Sequence, residues 1–346
     1  MVTNIHEKYI KRCLELAHLG MGSVSPNPMV GSVIVLHETI IGEGYHMQFG
    51  GPHAEVNAIH SVQDKSLLKQ ATIYVSLEPC SHFGKTPPCA DLIIASKIPK
   101  VVIATLDSNA VVCGNGVQKL KDAGIEVDIG VLEKEANQLN VAFNTFHQKK
   151  RPLVILKWAE TADSFLDKKR DSRKEKAVAI SDKTTSIWVH QLRSRVDAIL
   201  VGRKTVDLDN PSLTTRKWNG KNPIRVIIDP HLKIIKDSHI FNSLVKTYIF
   251  NTIRTHQELN LEWIQIKPNK PFLPTLLSEL YQRKIQSILI EGGTTTIQQF
   301  IDEQLFDQCF VIKSSLKIKN GVLAPQMNMD GFATQKIEKD LIYYND

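Results

Sequence analysis

Apolar residues near the start of the chain fall at helical spacing. Ile10, Cys13, Leu14 and Ala17 recur at i, i+3, i+4 and i+7, which predicts a helix over His6–Ala17 with one buried face. Pro26-Asn27-Pro28 then punctuates a turn, and Met29–Leu36 and Ile40–Tyr45 read as strands. Pro52 stands just before a short helical run, Ala54–Ile59, where its fixed φ suits a helix start. From there strands and helices alternate: strand Ala71–Leu77, helix Ala90–Lys97, strand Lys100–Leu106, helix Gly116–Ala123, strand Ile125–Ile129, helix Leu132–Phe146. That alternation predicts a three-layer α/β domain with largely parallel strands.

The segment His147–Pro152 is charged, ends in proline and lacks apolar period, so it reads as a linker between a domain over 1–147 and another over 152–346. Beyond it the pattern restarts with strands at Leu153–Trp158, Ala198–Gly202, Ile224–Asp229, Lys246–Asn251 and Ser287–Glu291. A charge-dense stretch, Asp167–Lys176, interrupts this half and is expected as a solvated loop; it has no interleaved aromatics to stack on bases.

The length of 346 residues suits two domains, and 42% apolar residues suffice to build their cores. A net charge of +7 fits a phosphorylated metabolite as well as nucleic acid. No run of roughly 18 apolar residues is present, so no membrane span is expected, and the N-terminus lacks the order of a signal peptide. Five scattered cysteines make no disulfide framework and point to a reducing, cytoplasmic setting.

The candidate chemistry lies in His53-Ala54-Glu55, Pro79-Cys80 and Pro87-Pro88-Cys89. Catalytic zinc takes three protein ligands and leaves one position for water, and one imidazole with two thiolates supplies that set. Zinc brings the pKa of such a water towards neutrality. A glutamate two residues from the histidine can carry the protons without ligating the metal. Zinc nucleobase deaminases follow the same logic, although their cysteines are two residues apart rather than eight. Taken alone, the residues also fit two unrelated loop cysteines and a helical histidine.

The full string Leu77-Glu78-Pro79-Cys80-Ser81-His82-Phe83-Gly84-Lys85-Thr86-Pro87-Pro88-Cys89 resembles the signature of the bifunctional riboflavin-biosynthesis deaminase–reductase family, whose cysteines have this long spacing. Pro26-Asn27-Pro28-Met29-Val30-Gly31, Gly42-Glu43-Gly44-Tyr45-His46 and Pro52-His53-Ala54-Glu55 match it in order. The resemblance implies a cytidine-deaminase-like α/β/α domain that binds Zn2+ through His53, Cys80 and Cys89 and uses Glu55 as the catalytic proton carrier. The implied substrate is a diaminopyrimidinone bearing a ribosylamino 5′-phosphate, which loses the amine at ring position 2. Asn27 would meet the pyrimidine edge and Lys85 the phosphate, with His46, His82, Asp107 and Asn109 as further contacts. Without the resemblance, Asn27 reads as a turn residue and Lys85 as solvated. Around Asp107-Ser108-Asn109-Ala110 both prolines of the family pattern are missing, which predicts a looser loop.

No Gly-x-Gly-x-x-Gly follows a strand. Instead Ser287–Glu291 leads through Gly292-Gly293-Thr294 into the amphipathic run Ile297–Leu305, a glycine turn with a threonine cap that would offer free N–H groups to a phosphate. Any tight strand–helix turn can also use such glycines. Leu156-Lys157-Trp158-Ala159, Asp197–Val206, Asp209–Arg216, Ile224–Asp229 and Glu291-Gly292-Gly293 resemble the reductase half of the same family. That half implies a dihydrofolate-reductase-like α/β fold and hydride transfer from NADPH that opens the ribose into a ribityl chain. Ala159, Thr205, Asp209, Gly292 and Gly293 would line the cofactor, and Lys157, Arg193, Leu213, Arg216 and Glu291 would meet the substrate. Ser164 and Ala179 replace a glycine and a tryptophan of the family pattern, which predicts a weaker cofactor site. The last 35 or so residues carry no pattern that places them.

Three rivals are weighed against this. A nucleotide or tRNA-adenosine deaminase would carry Cys-x-x-Cys and no reductase motifs, and the sequence contradicts both points. A nucleic-acid binder would hold structural zinc with four protein ligands. An active deaminase could also carry a second half that only binds or dimerises. The sequence leaves a homo-oligomer open.

Overall fold

The computed structural model of the chain describes residues 5–83, 87–109 and 113–345. The opening amphipathic run is helix α1 (Ile5–His18), which buries Tyr9, Ile10, Cys13, Leu16 and Ala17. The first unit, Met1–Lys150, continues with β1 (Gly31–Leu36), β2 (Thr39–Tyr45), α2 (Ala54–Ser61), β3 (Thr72–Val75) and α3 (Cys89–Ala95). It closes with β4 (Lys100–Ile103), α4 (Asn115–Asp122), β5 (Glu126–Ile129), α5 (Glu133–Leu139) and α6 (Val141–Lys149).

The five strands lie in the order β2-β1-β3-β4-β5, with β1 antiparallel to both neighbours and β3, β4 and β5 parallel. Successive strand residues face opposite sides, so each face of the sheet gathers its own core. Ile34, Ile73, Val101 and Ile103 pack with Ala58, Ile93 and Leu120 of α2, α3 and α4. Val33, Val35, Tyr74 and Val102 pack with Tyr9, Ile10, Cys13 and Ala136 of α1 and α5. Gly44 lets α2 lie directly on β2, since a Cβ there would come within 2.3 Å of Ala58 N.

The single helix expected over Leu132–Phe146 is two helices, broken at Asn140 (φ −104°, ψ 26°). Asn140 spends its carboxamide on the backbone of Met29. The second helix runs on through Lys149, into the stretch expected as linker, and ends at left-handed Lys150.

The second unit, Arg151–Asp346, contains β6 (Leu153–Glu160), β7 (Phe165–Asp167), α7 (Lys183–Arg195), β8 (Ala198–Gly202), α8 (Arg203–Asp209), β9 (Ile224–Ile228) and β10 (Thr247–Asn251). There follow β11 (His256–Glu258), β12 (Leu261–Gln265), α9 (Phe272–Gln282), β13 (Ser287–Ile290), α10 (Thr294–Asp302), β14 (Gln308–Lys313), β15 (Val322–Leu323), β16 (Ala333–Ile337) and β17 (Asp340–Asn345). Ten strands form one sheet in the order β11-β12-β10-β9-β8-β13-β6-β14-β17-β16. It is parallel from β12 to β14 and antiparallel at both edges. The terminal residues that carried no legible pattern supply β15, β16 and β17.

The charged stretch Asp167–Lys176 is a loop, but its arginines are not solvated. Arg170 pairs with Asp167 and Asp209, and Arg173 donates to Asp207 O (3.2 Å) and pairs with Asp237 (3.0 Å).

Ser164 adopts φ 63°, a left-handed conformation that glycine takes without strain. Its N–H donates to Thr161 O and its carbonyl accepts from Ala324 N, both at 3.0 Å, so the turn is held despite the side chain. A non-glycine residue there costs about 1–2 kcal/mol, partly offset by the chain entropy that glycine loses on folding. Ser164→Gly is therefore expected to raise the melting temperature of the second unit by a few degrees. An unchanged or lower midpoint by calorimetry contradicts this.

Candidate active sites

His53 caps the N-terminus of α2 and Cys89 begins α3, so two helix starts converge with the loop after β3 that carries Cys80. His53 Nδ1 lies 3.6 Å from Cys80 Sγ and 3.3 Å from Cys89 Sγ, and the three ligand atoms all fall within 4.8 Å of one another. Tetrahedral zinc with ordinary Zn–S and Zn–N bonds sets ligand atoms about 3.5–3.8 Å apart, so the triad fits the ion. Among the described residues the cluster has three members, the number of protein ligands that a catalytic zinc takes. The neighbouring Cys89 S–H and His53 ring hold the Cys80 thiol well below the ordinary thiol range, whereas sharing with Cys80 and burial push Cys89 up.

Glu55, on the first turn of α2, is 3% exposed beside these thiols. Burial, and then the Cys80 charge, push its carboxyl up to about 7. This suits a group that takes and returns protons near neutral pH.

The neighbouring side chains are organised by hydrogen bonds. The ring of buried His46 stands edge-on to His53, 5.4 Å between centroids. His46 Nδ1 donates to Pro52 O (3.0 Å) and Nε2 accepts from Asn27 Nδ2 (3.1 Å), an arrangement that needs the neutral ring; burial keeps its pKa low. Asp107 is buried, and its Oδ1 accepts from Asn109 N at 2.7 Å. Burial pushes the Asp107 carboxyl up to about 6. Both edges of the loop that lacks the family's prolines are thus tied: Glu78 Oε2 accepts from Asp107 N (3.2 Å) and Gly114 N (2.9 Å). Glu78 Oε1 accepts from Gly116 N (2.9 Å) and Val117 N (3.1 Å) at the start of α4. Gly116 is needed there, because a Cβ would lie 2.0 Å from Pro79 O. His82 is exposed, and Lys85 lies outside the described residues.

In the second unit the parallel strands β6, β13 and β8 bring a second group together. Glu291, just past β13, pairs in bidentate fashion with Arg193 of α7 (3.0 and 2.7 Å) and lies 3.9 Å from Lys157 Nζ of β6. Burial opposes the Glu291 charge, but Arg193 and Lys157 outweigh it and hold the carboxyl at about 2, while burial lowers the pKa of Lys157. Arg193 also donates to Thr214 O (3.3 Å), which draws in the loop with buried Leu213 and exposed Arg216. His190, one turn before Arg193, is 3% exposed and held neutral at about 4 by burial and the nearby cations.

The glycine turn sits at the start of α10. Gly293 itself is the cap, and its N–H donates to Thr205 Oγ1 (3.1 Å) rather than standing free. Thr294, expected as the cap, bonds Leu323 O instead. Gly292 packs against Thr296, where a Cβ would approach to 3.0 Å. Asp209 lies exposed at the end of α8, and half-buried Ala159 lies on β6 beside the Trp188–Phe310 cluster. Ala179, where the family has tryptophan, is exposed. Glu78 and His190 were not singled out by sequence reasoning. Glu78 stood inside the cysteine motif, and only its four backbone partners reveal its role.

Fold and site define a zinc-type pyrimidine deaminase unit followed by a reductase unit. Residues 3–105 match the family model for the cytidine and deoxycytidylate deaminase zinc-binding region, and residues 152–316 match that for the RibD C-terminal domain. The chain is 39% identical to riboflavin biosynthesis protein RibD of Aquifex aeolicus over 99% of this chain and 94% of that protein. A crystal structure of a diaminohydroxyphosphoribosylaminopyrimidine deaminase/5-amino-6-(5-phosphoribosylamino)uracil reductase from Thermotoga maritima superposes with TM-score 0.87, at 38% identity and 98% coverage of both chains. Acinetobacter baumannii RibD superposes with TM-score 0.86 at 31% identity, again covering 98% of both. The chain belongs to the RibD family of bifunctional riboflavin-biosynthesis enzymes.

Proposed function

We propose that this chain deaminates 2,5-diamino-6-ribosylamino-4(3H)-pyrimidinone 5′-phosphate in its first unit and reduces the ribosyl group of the product to a ribityl chain in its second. The observation that carries this reading is the convergence of His53, Cys80 and Cys89 beside buried Glu55, on a chain that also gathers Lys157, Arg193 and Glu291. Zinc, when bound, acidifies water and so supplies a nucleophile at neutral pH. Glu55 takes a proton from the attacking water and delivers it to the ring nitrogen. It then takes the second proton from the hydroxyl left on the tetrahedral carbon and passes it to the amine, which departs as ammonia while the carbonyl forms. Asn27 reads the pyrimidine edge, with His46 behind it; Asp107, Asn109, His82 and Lys85 complete the ribose and phosphate contacts.

In the second unit NADPH supplies the hydride. Thr205, Gly292 and Gly293 line its site, with Ala159 and Asp209 further out. Lys157, Arg193, Leu213, Arg216 and Glu291 hold the substrate, with exposed Arg216 suited to its phosphate. A reductase that has become a mere binding module is disfavoured, because relatives match over both units. No described helix is long and apolar enough to cross a membrane. We place the protein in the cytoplasm, acting on small molecules without nucleic acid, with domain limits at 1–147 and 152–346.

The test is to supply the diaminopyrimidinone ribotide with and without NADPH and to separate the deaminated and reduced products. Neither product forming would sink the reading. Elemental analysis is expected to find one zinc per chain, lost in Cys80→Ala because two remaining ligands hold the ion poorly. Equal zinc in both proteins would assign the metal elsewhere.

A further inference from the structure

We propose that Asn140 is a positioning residue of the deamination site, acting through the Pro26–Met29 turn on the Asn27 carboxamide. The proposal rests on the reading of Asn27 as the group that meets the pyrimidine edge. Asn140 is 3% exposed and sits at the break between α5 and α6. Its Oδ1 accepts from Met29 N at 2.8 Å and its Nδ2 donates to Met29 O at 2.9 Å. This reciprocal pair imitates the rung of a β-ladder, and it holds one peptide segment on both sides across 111 residues of chain. Asparagine offers one donor and one acceptor at the spacing this needs; ionised aspartate lacks the donor and an aliphatic side chain lacks both.

The grip reaches Asn27 along short links. Asn27 N donates to Val24 O (2.8 Å), and His46 N donates to Val30 O (2.9 Å), one residue past Met29. His46 Nε2 then accepts a hydrogen bond from Asn27 Nδ2 (3.1 Å), which leaves Oδ1 of that carboxamide as the acceptor. With the turn fixed by Asn140 on one side and His46 on the other, the amide is oriented before substrate arrives. Preorganisation of this kind lowers the cost of binding. The same helix pair holds a second loop of the site: Thr105 Oγ1, two residues before Asp107, donates to Asn137 Oδ1 (3.2 Å). Asn144 Nδ2 in turn donates to Asn137 O and Oδ1, both at 3.3 Å.

The experiment is a double-mutant cycle in the zinc-loaded full chain: Asn27→Ala, Asn140→Ala and both together, with deamination kinetics, zinc content and melting temperature read for each. Each single change is expected to raise KM about tenfold, which is about 1.4 kcal/mol, with a smaller change in kcat and zinc retained. The double variant is expected to be no worse than the worse single, because both changes remove one contact. Additive losses overturn the proposal, since they mean that Asn140 does not act through Asn27; so does an unchanged KM in Asn140→Ala. An unchanged KM in Asn27→Ala beside a raised one in Asn140→Ala overturns the reading of Asn27, and with it the route proposed here. If Asn140→Ala does not fold, Asn140→Asp, which keeps shape and the acceptor for Met29 N, takes its place in the cycle under the same criteria.

Discussion

Glu55→Gln is expected to keep its zinc and lose deamination by about 10³–10⁴-fold. General acid–base groups contribute about 10²–10⁴-fold, and a carboxyl that serves two successive proton transfers belongs at the upper end. The glutamine keeps the shape of the buried side chain and removes only the proton carrier. Glu55 lies among the thiols without belonging to the three-member ligand set, so metal content is expected to match the parent. Elemental analysis together with turnover on the ribotide separates the two effects. A variant within a few-fold of the parent would assign the proton shuttle to another group.

The second large effect is expected at Glu291→Gln, which should abolish NADPH oxidation and destabilise the second unit by about 3–5 kcal/mol while deamination continues. Its carboxylate is the shared partner of Arg193 and Lys157, all three largely buried. Removing one partner of a buried ion cluster leaves the others uncompensated, and that is the costly way to break it. The pH dependence has a definite sign. The folded carboxyl is held at about 2, below its ordinary 4.5, so its contribution is fully present above pH 4.5 and is lost as pH falls towards 2. At 1.36 kcal/mol per unit this amounts to about 3 kcal/mol. Lys157 works in the opposite direction, since burial lowers its pKa and its charge opposes folding below the ordinary lysine value. Acid unfolding of the second unit should therefore be steeper in the parent than in the variant between pH 4.5 and 2. Parallel curves for the two proteins would remove Glu291 from the electrostatic account.

Sequence and structure divide the account according to how local each feature is. The proposed zinc ligands and Glu55 were legible because they are residue types suited to that chemistry, held in short strings at two helix starts and in the loop after β3. The strands and helices of the first unit were legible through hydrophobic period, which mirrors burial on one face or both. Lys157, Arg193 and Glu291 were named only through resemblance, since they stand on three separate elements with no common spacing.

Other features depended on partners distant in the chain. Leu132–Phe146 has the period of one helix, yet it breaks at Asn140 because that carboxamide finds Met29, a partner 111 residues away. Glu78 looks like a charged residue beside a cysteine until its carboxylate is seen to collect N–H groups from two loop edges and a helix start. Strand β16 carries a weak signal because it is the last strand of the sheet, with four of its five residues exposed. Residue type, read with the family resemblance, pointed to the chemistry, and hydrophobic period placed most of the regular elements of the first unit. Which polar groups meet, and so how the substrate loops are held, was decided by tertiary structure alone, because a buried donor or acceptor must be satisfied by whichever partner the fold brings within about 3 Å.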